Sequence, residues 1–197
     1  VMTVPHFIFG EKKNVSFCEF MRQALYHPQH GYYRQSTTRQ GIHGDYLTAP
    51  SMSHLFACCI ANNLAPLLRQ HPHWSISEIG PGRADCATDL MQALAKKKAL
   101  PKQYHLIEPS PKMQSVQKHH ITSRLTSDLN RYTWDTKLPD SFCGIVLANE
   151  VLDALPIHLI ASDNTGNLSE LWVKRSSSEL TFEPMPIHPD LLKIFSQ

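Results

Sequence analysis

The sequence predicts an α/β fold with a parallel-sheet core, a helical N-terminal extension and a β-rich C-terminal segment. Three observations carry this. From Trp74 onward, short apolar runs alternate with segments of helical periodicity. The glycine-rich stretch EIGPGRAD (78–85) follows the first run and opens a helix. Beyond His158 the apolar runs succeed one another without helices between them.

Each element has a local reason. SFCEFMRQALYHP (16–28) reads as a helix capped by Ser16, with Glu19 in the capping-box position and Pro28 ending it. GYYRQSTTRQGIHGDYLTAP (31–50) is a long polar loop of the kind that carries function. SMSHLFACCIANNLAPLLRQ (51–70) is a helix capped by Ser51 or Ser53, which Pro66 is expected to kink or split. WSISEIG is a strand, RADCATDLMQALAKKKAL a helix and QYHLIEP a strand. SPKMQSVQKHHITSRL is a helix capped by Ser110, with Pro111 at its first position. A weak strand near RYTW and the strong strand FCGIVLAN complete an alternation that calls for parallel, right-handed connections. EVLDAL makes a short helix, with Glu150 and Asp153 as its caps on the plainest reading. IHLIASD, LSELWVKR and ELTFEP are strands, and DNTGN marks a hairpin turn. The expected division is a helical region over 1–73, the sheet core over 74–162 and a hairpin segment over 163–197.

Composition excludes several classes. Apolar residues at 42% and charged residues at 18% mark a globular chain, not a disordered one. A net charge of +2, with basic residues gathered between 96 and 131, is too small and local for a nucleic-acid surface. Five scattered cysteines without C-x-x-C argue against a disulfide framework and for a reducing compartment. The histidines group as HPQH, HPH and HH without zinc spacing, so no metal is expected. No apolar run approaches the ~18 residues of a membrane span. The start, VMTVPHFIFGEKKN, shows neither a signal nor a transit pattern. The expectation is a bacterial cytoplasm, or a mitochondrion if a transit peptide has been removed.

The chemistry lies at the strand ends. Gly80 and Gly82 make a tight turn that lets a ligand approach the backbone, and the following helix offers N–H groups to an anion. The pattern is E-x-G-x-G-x-A, without the third glycine of a dinucleotide site. Glu78 would repel a pyrophosphate but attract an ammonium. An amino-acid head group carries both charges, which favours S-adenosylmethionine over NAD. The second strand ends in IEPS, where Glu108 is placed to accept both ribose hydroxyls; the plainer reading is a helix-flanking acid. Asp135, with Trp134 beside it, falls near the adenine ring in such a sheet.

These residues carry a resemblance. FMRQALYHPQHGYY, GDYLTAPSMSHLF, EIGPGRADCATDL, YHLIEPSP and LANEVLDALPIH are similar to motifs of class I S-adenosylmethionine-dependent methyltransferases. More narrowly the chain resembles the MidA family, relatives of the mitochondrial complex I assembly methyltransferase. The resemblance implies a Rossmann-like fold. It implies cofactor contacts from Gly80, Gly82, Glu108 and Asp135, with a loop around Gly44, Asp45, Thr48 and Pro50 closing over them. Ser51 departs from the family's Glu after TAP, and Ala84 stands where many methyltransferases have glycine. Members run to several hundred residues, so an incomplete sheet is expected here.

VLANEVLDALPIH (146–158) delivers Asn149, Glu150 and Asp153 to the rim where the transferable methyl would sit. The resemblance implies a protein substrate, an arginine of a respiratory complex I subunit. Carboxylates suit it, because they bind the guanidinium fork bidentately and fix its plane. The expectation is that Glu150 and Asp153 hold the acceptor while Asn149 orients it. The alternative is a cofactor-binding assembly factor or docking module without catalysis. A nicotinamide oxidoreductase is opposed by Glu78 and the missing glycine spacing. A nucleic-acid methyltransferase is opposed by the absent N-P-P-Y sequence. The oligomeric state is left open.

Overall fold

The computed structural model describes residues 6–35, 53–176 and 179–195. In chain order the elements are α1 (His6–Phe9), β1 (Asn14–Ser16), α2 (Phe17–Tyr26), α3 (Tyr32–Gln35), α4 (His54–Gln70), β2 (Ser75–Ile79), α5 (Asp85–Lys96), β3 (Tyr104–Ile107), α6 (Pro111–Arg124), β4 (Tyr132–Asp135), β5 (Gly144–Ala148), β6 (Ile160–Ser162), β7 (Leu168–Arg175), β8 (Leu180–Met185) and α7 (Pro189–Phe195). The described residues of 37–151 form one compact unit, and those of 1–36 with 152–197 form another. The 1–73 stretch is thus shared between both units.

The 37–151 unit is built on a parallel sheet in the order β4-β3-β2-β5. A central parallel strand is buried on both faces, and β2 is closed from Ser75 to Glu78. Ile76, Glu78, Tyr104, Leu106 and Trp134 share the helix-covered face, since their registers pair Ile76 with Tyr104 and Leu106 with Trp134. Ala87, Leu90 and Leu94 of α5 pack there, fully buried. Ala57, Ala61, Ala65 and Leu68 make a helical stripe on α4 whose small side chains let α4 close on α5. Pro66 neither kinks nor splits α4, which runs unbroken from His54 to Gln70. Ser53 is its cap, accepting the Leu55 N–H at 3.1 Å. Ser110 caps α6 in the same way.

Gly144 opens β5 with φ +151°, and a Cβ built on it would lie 1.9 Å from the Ser75 carbonyl oxygen. Only glycine permits β5 to lie this close to β2. Among the described residues β5 pairs with β2 alone, and Val146 is half-exposed. β5 is thus an edge of this sheet among the described residues.

In the other unit β7 is central to an antiparallel sheet. Its register places β1 and β6 end to end along one edge, opposite β8. Ile8, Phe9, Val15 and Val173 form its core, with Phe17 and Phe20 packed against them. The DNTGN hairpin is as expected. Asp163 accepts hydrogen bonds from Thr165 and Asn167, which hold its carboxyl down at about 2. The helix expected over EVLDAL is a correction. Only Leu152–Ala154 form a 3-10 turn, and Glu150 precedes it in left-handed backbone at φ +51°. That backbone cannot continue a right-handed helix, so the helix does not extend back to Glu150, which lies two residues before the turn.

Candidate active site

Parallel register sets the site. Ile79 pairs with both Ile107 and Ala148, and Ile107 pairs with Asp135. The carboxyl ends of all four strands are therefore level. Asp135 ends β4, and Gly80, Glu108 and Asn149 follow the other three strands, all on one rim, where ligands bind in open α/β sheets.

The Gly turn is tightly determined. Gly80 and Gly82 have φ +63° and +53°, and Ala84 also adopts left-handed backbone, at φ +69°, with its methyl fully buried. The Ala84 N–H donates to Pro81 O at 2.8 Å, closing the turn before α5. A Cβ on Gly80 would meet Val151 Cγ2 at 3.3 Å, so the chain leaving β5 passes directly against the turn.

Glu78 is buried beneath this turn, on the face that α5 covers. Its Oε2 accepts the Tyr104 hydroxyl at 2.8 Å. Burial pushes its carboxyl up to about 7, although hydrogen bonds from Tyr104 and Cys86 favour the charged form. A neighbouring ammonium would shift it back toward the carboxylate. Burial also pushes the Tyr104 and Cys86 groups up, with the Glu78 charge adding to both.

Glu108 takes up one of the two roles weighed for it. Its Oε1 accepts the Ser110 N–H at 2.8 Å, which is the helix-flanking role. Its backbone N–H donates to Asp135 O at 2.8 Å, tying the ends of β3 and β4 together. Asp135 is half-exposed, with Oδ2 3.7 Å from His105 Nδ1. Trp134 lies on the helix-covered face of β4, where Lys118 Nζ sits 5.0 Å from the ring centroid and the indole N–H donates to Gln117 Oε1 at 3.1 Å.

Gln117 was not foreseen. It is fully buried on α6, and its Nε2 donates to Gly82 O at 2.8 Å and lies 3.4 Å from Glu108 Oε2. The signal for it is weak: a glutamine at mid-helix is ordinarily a surface residue.

Asn149 is half-buried and Glu150 is exposed. Glu150 makes no side-chain hydrogen bond or ion pair among the described residues. A non-glycine residue at positive φ stores strain and is a recurrent mark of functional positions. Asp153 is exposed and belongs to the other unit. Gly44, Asp45, Thr48 and Pro50 lie outside the described residues.

The rim presents a glycine turn, two strand-end carboxylates and two further polar side chains. That donor set fits an amino-acid nucleoside, with a backbone turn for the head group and acceptors for ribose. The fold and rim together define the class, an open parallel α/β sheet whose candidate site lies at the carboxyl ends of its strands. The chain belongs to a family of S-adenosyl-L-methionine-dependent methyltransferases, whose model matches residues 56–197. This bears out the resemblance to the MidA family. It is 31% identical to the mitochondrial protein arginine methyltransferase NDUFAF7 homolog of Caenorhabditis elegans, over 73% of this chain and 39% of that protein. It is 30% identical to the mitochondrial NDUFAF7 of Danio rerio, over 77% and 42%. A Burkholderia thailandensis structure bound to S-adenosyl-homocysteine matches at TM-score 0.80 and 27% identity, over 93% of this chain and 49% of that one. The chain spans about two-fifths of the length of the curated relatives it matches.

Proposed function

We propose that the chain belongs to a protein arginine methyltransferase that acts on a respiratory complex I subunit during assembly. The observation that carries the reading is the level rim, which sets Gly80, Glu108, Asp135 and Asn149 side by side. Gly80 and Gly82 would receive the cofactor's amino-acid end, with Glu78 beneath. Glu108 would accept its ribose hydroxyls. Asp135 would face the adenine, backed by Trp134. S-adenosylmethionine, when bound, supplies an electrophilic methyl group.

Asn149 and Glu150 would hold the guanidinium. Glu150 would fix the plane of the fork and accept the proton that the nitrogen releases on becoming methylated. An arginine remains protonated at neutral pH, so a carboxylate partner answers a real chemical need. The protein-arginine names of the relatives support this substrate class, and their mitochondrial names favour the mitochondrial compartment of the two expected.

The test is transfer of an isotopically labelled methyl from S-adenosylmethionine to complex I subunits, read by mass spectrometry as methylated arginine. Glu150→Gln is expected to slow transfer about 100-fold. An unchanged rate in that variant would sink the catalytic role. Cofactor binding with no transfer would instead identify the non-catalytic assembly factor.

A further inference from the structure

Gln117 joins three separate parts of the rim. Its amide oxygen accepts the Trp134 indole N–H, at 3.1 Å. An indole only donates, so this contact fixes which end of the amide faces β4. The NH2 group is thereby turned toward two acceptors, the Gly82 carbonyl at 2.8 Å and Glu108 Oε2 at 3.4 Å. The side chain is fully buried. A buried amide persists when its partners match its polarity, and here donor and acceptors match at both ends. Glutamate in its place would set a carboxylate against a carbonyl and another carboxylate.

α6 is an otherwise ordinary surface helix, whose only buried residues are Gln117 and Ile121. Gln114 adds a second tie from the same helix, donating to Glu108 O at 2.8 Å. The Glu108 carboxylate is thus held from two sides, by the Ser110 N–H on Oε1 and by Gln117 on Oε2. These contacts restrict how the Glu108 carboxylate can turn.

We infer that Gln117 is a positioning residue, which couples the Gly80–Gly82 turn to Glu108 and so sets the preference of the site for a ribose carrying both hydroxyls. The inference rests on the nucleoside reading of the rim. Gln117 itself touches no ligand. It acts by holding the acceptor that does.

The experiment compares two probes on the 197-residue chain: 5′-methylthioadenosine and its 2′,3′-dideoxy analogue. Wild type is expected to bind the first at least about tenfold more tightly, the worth of one hydrogen bond to a charged group. Gln117→Met, close in shape but without donors, is expected to reduce that ratio to below about threefold. A merely structural role would lower the melting temperature and leave the ratio untouched. An unchanged ratio in folded Gln117→Met and Gln117→Glu would overturn the inference while leaving the nucleoside site standing. Absence of binding to either probe by wild type would overturn both. A reading that needs no variant is the Gln117 side-chain NH2 resonance pair in isotopically labelled wild type. It should shift on adding the diol probe and stay in place with the dideoxy one.

Discussion

The Glu78 carboxylate accepts the Tyr104 hydroxyl at 2.8 Å, and both side chains are sealed beneath the glycine turn. Burial pushes the acid up to about 7 from an ordinary 4.5, so it is mostly neutral below that pH. Unfolded chain releases that proton near 4.5, and folded chain keeps it to near 7. Between those values the folded state binds more protons, so stability falls as pH rises through the window, by roughly 3 kcal/mol, and levels off above it. Glu78→Gln should remove this decline. Denaturant unfolding of both proteins at pH 5, 6, 7 and 8 measures it, and parallel curves would show that Glu78 is charged throughout.

Gly144 and Ser75 share a backbone approach that no side chain can enter. Gly144→Ala places a Cβ 1.9 Å from the Ser75 carbonyl oxygen and forces β5 off β2. The expected outcome is loss of the native fold, seen as absent cooperative unfolding. Gly80→Ala is milder. It incurs about 1–2 kcal/mol of left-handed strain, and its Cβ must push Val151 by a few tenths of an ångström. A folded Gly80→Ala with weakened nucleoside binding is predicted.

Glu150 holds φ +51° without a side-chain partner among the described residues. Glu150→Gly should relieve that strain and leave stability unchanged or raised by about 0.5–1 kcal/mol, while removing methyl transfer. A marked drop in melting temperature would instead make Glu150 a structural residue.

Much of this fold was legible because its signals are local. Ser16, Ser53 and Ser110 announce helix starts through their own hydroxyls, and the alternation of strands with helices from Trp74 onward implies the parallel sheet. Gly80, Glu108 and Asp135 were readable because strand ends in such a sheet have one destination. What escaped is non-local. Gln117 takes its meaning from Gly82, Glu108 and Trp134, which only the folded chain brings together. β1 pairs with β7 from the far end of the chain, which no window of sequence reveals. Pro66 was overruled by tertiary packing, since Ala65 and Leu68 on either side are buried against the core. The left-handed backbone of Glu150 escaped because nothing in VLANEVLDALP marks it.

The central claim is that the rim binds S-adenosylmethionine through Glu108. Calorimetric titration of S-adenosyl-homocysteine into wild type and Glu108→Gln tests it most directly. The amide keeps an acceptor for the Ser110 N–H, gives up the 3.4 Å contact from the Gln117 NH2 and loses the charge that would hold the ribose. Saturable binding by wild type, weakened at least about tenfold in the variant at similar melting temperature, is the predicted result. Equal affinity in the two proteins, or none in wild type, would contradict it.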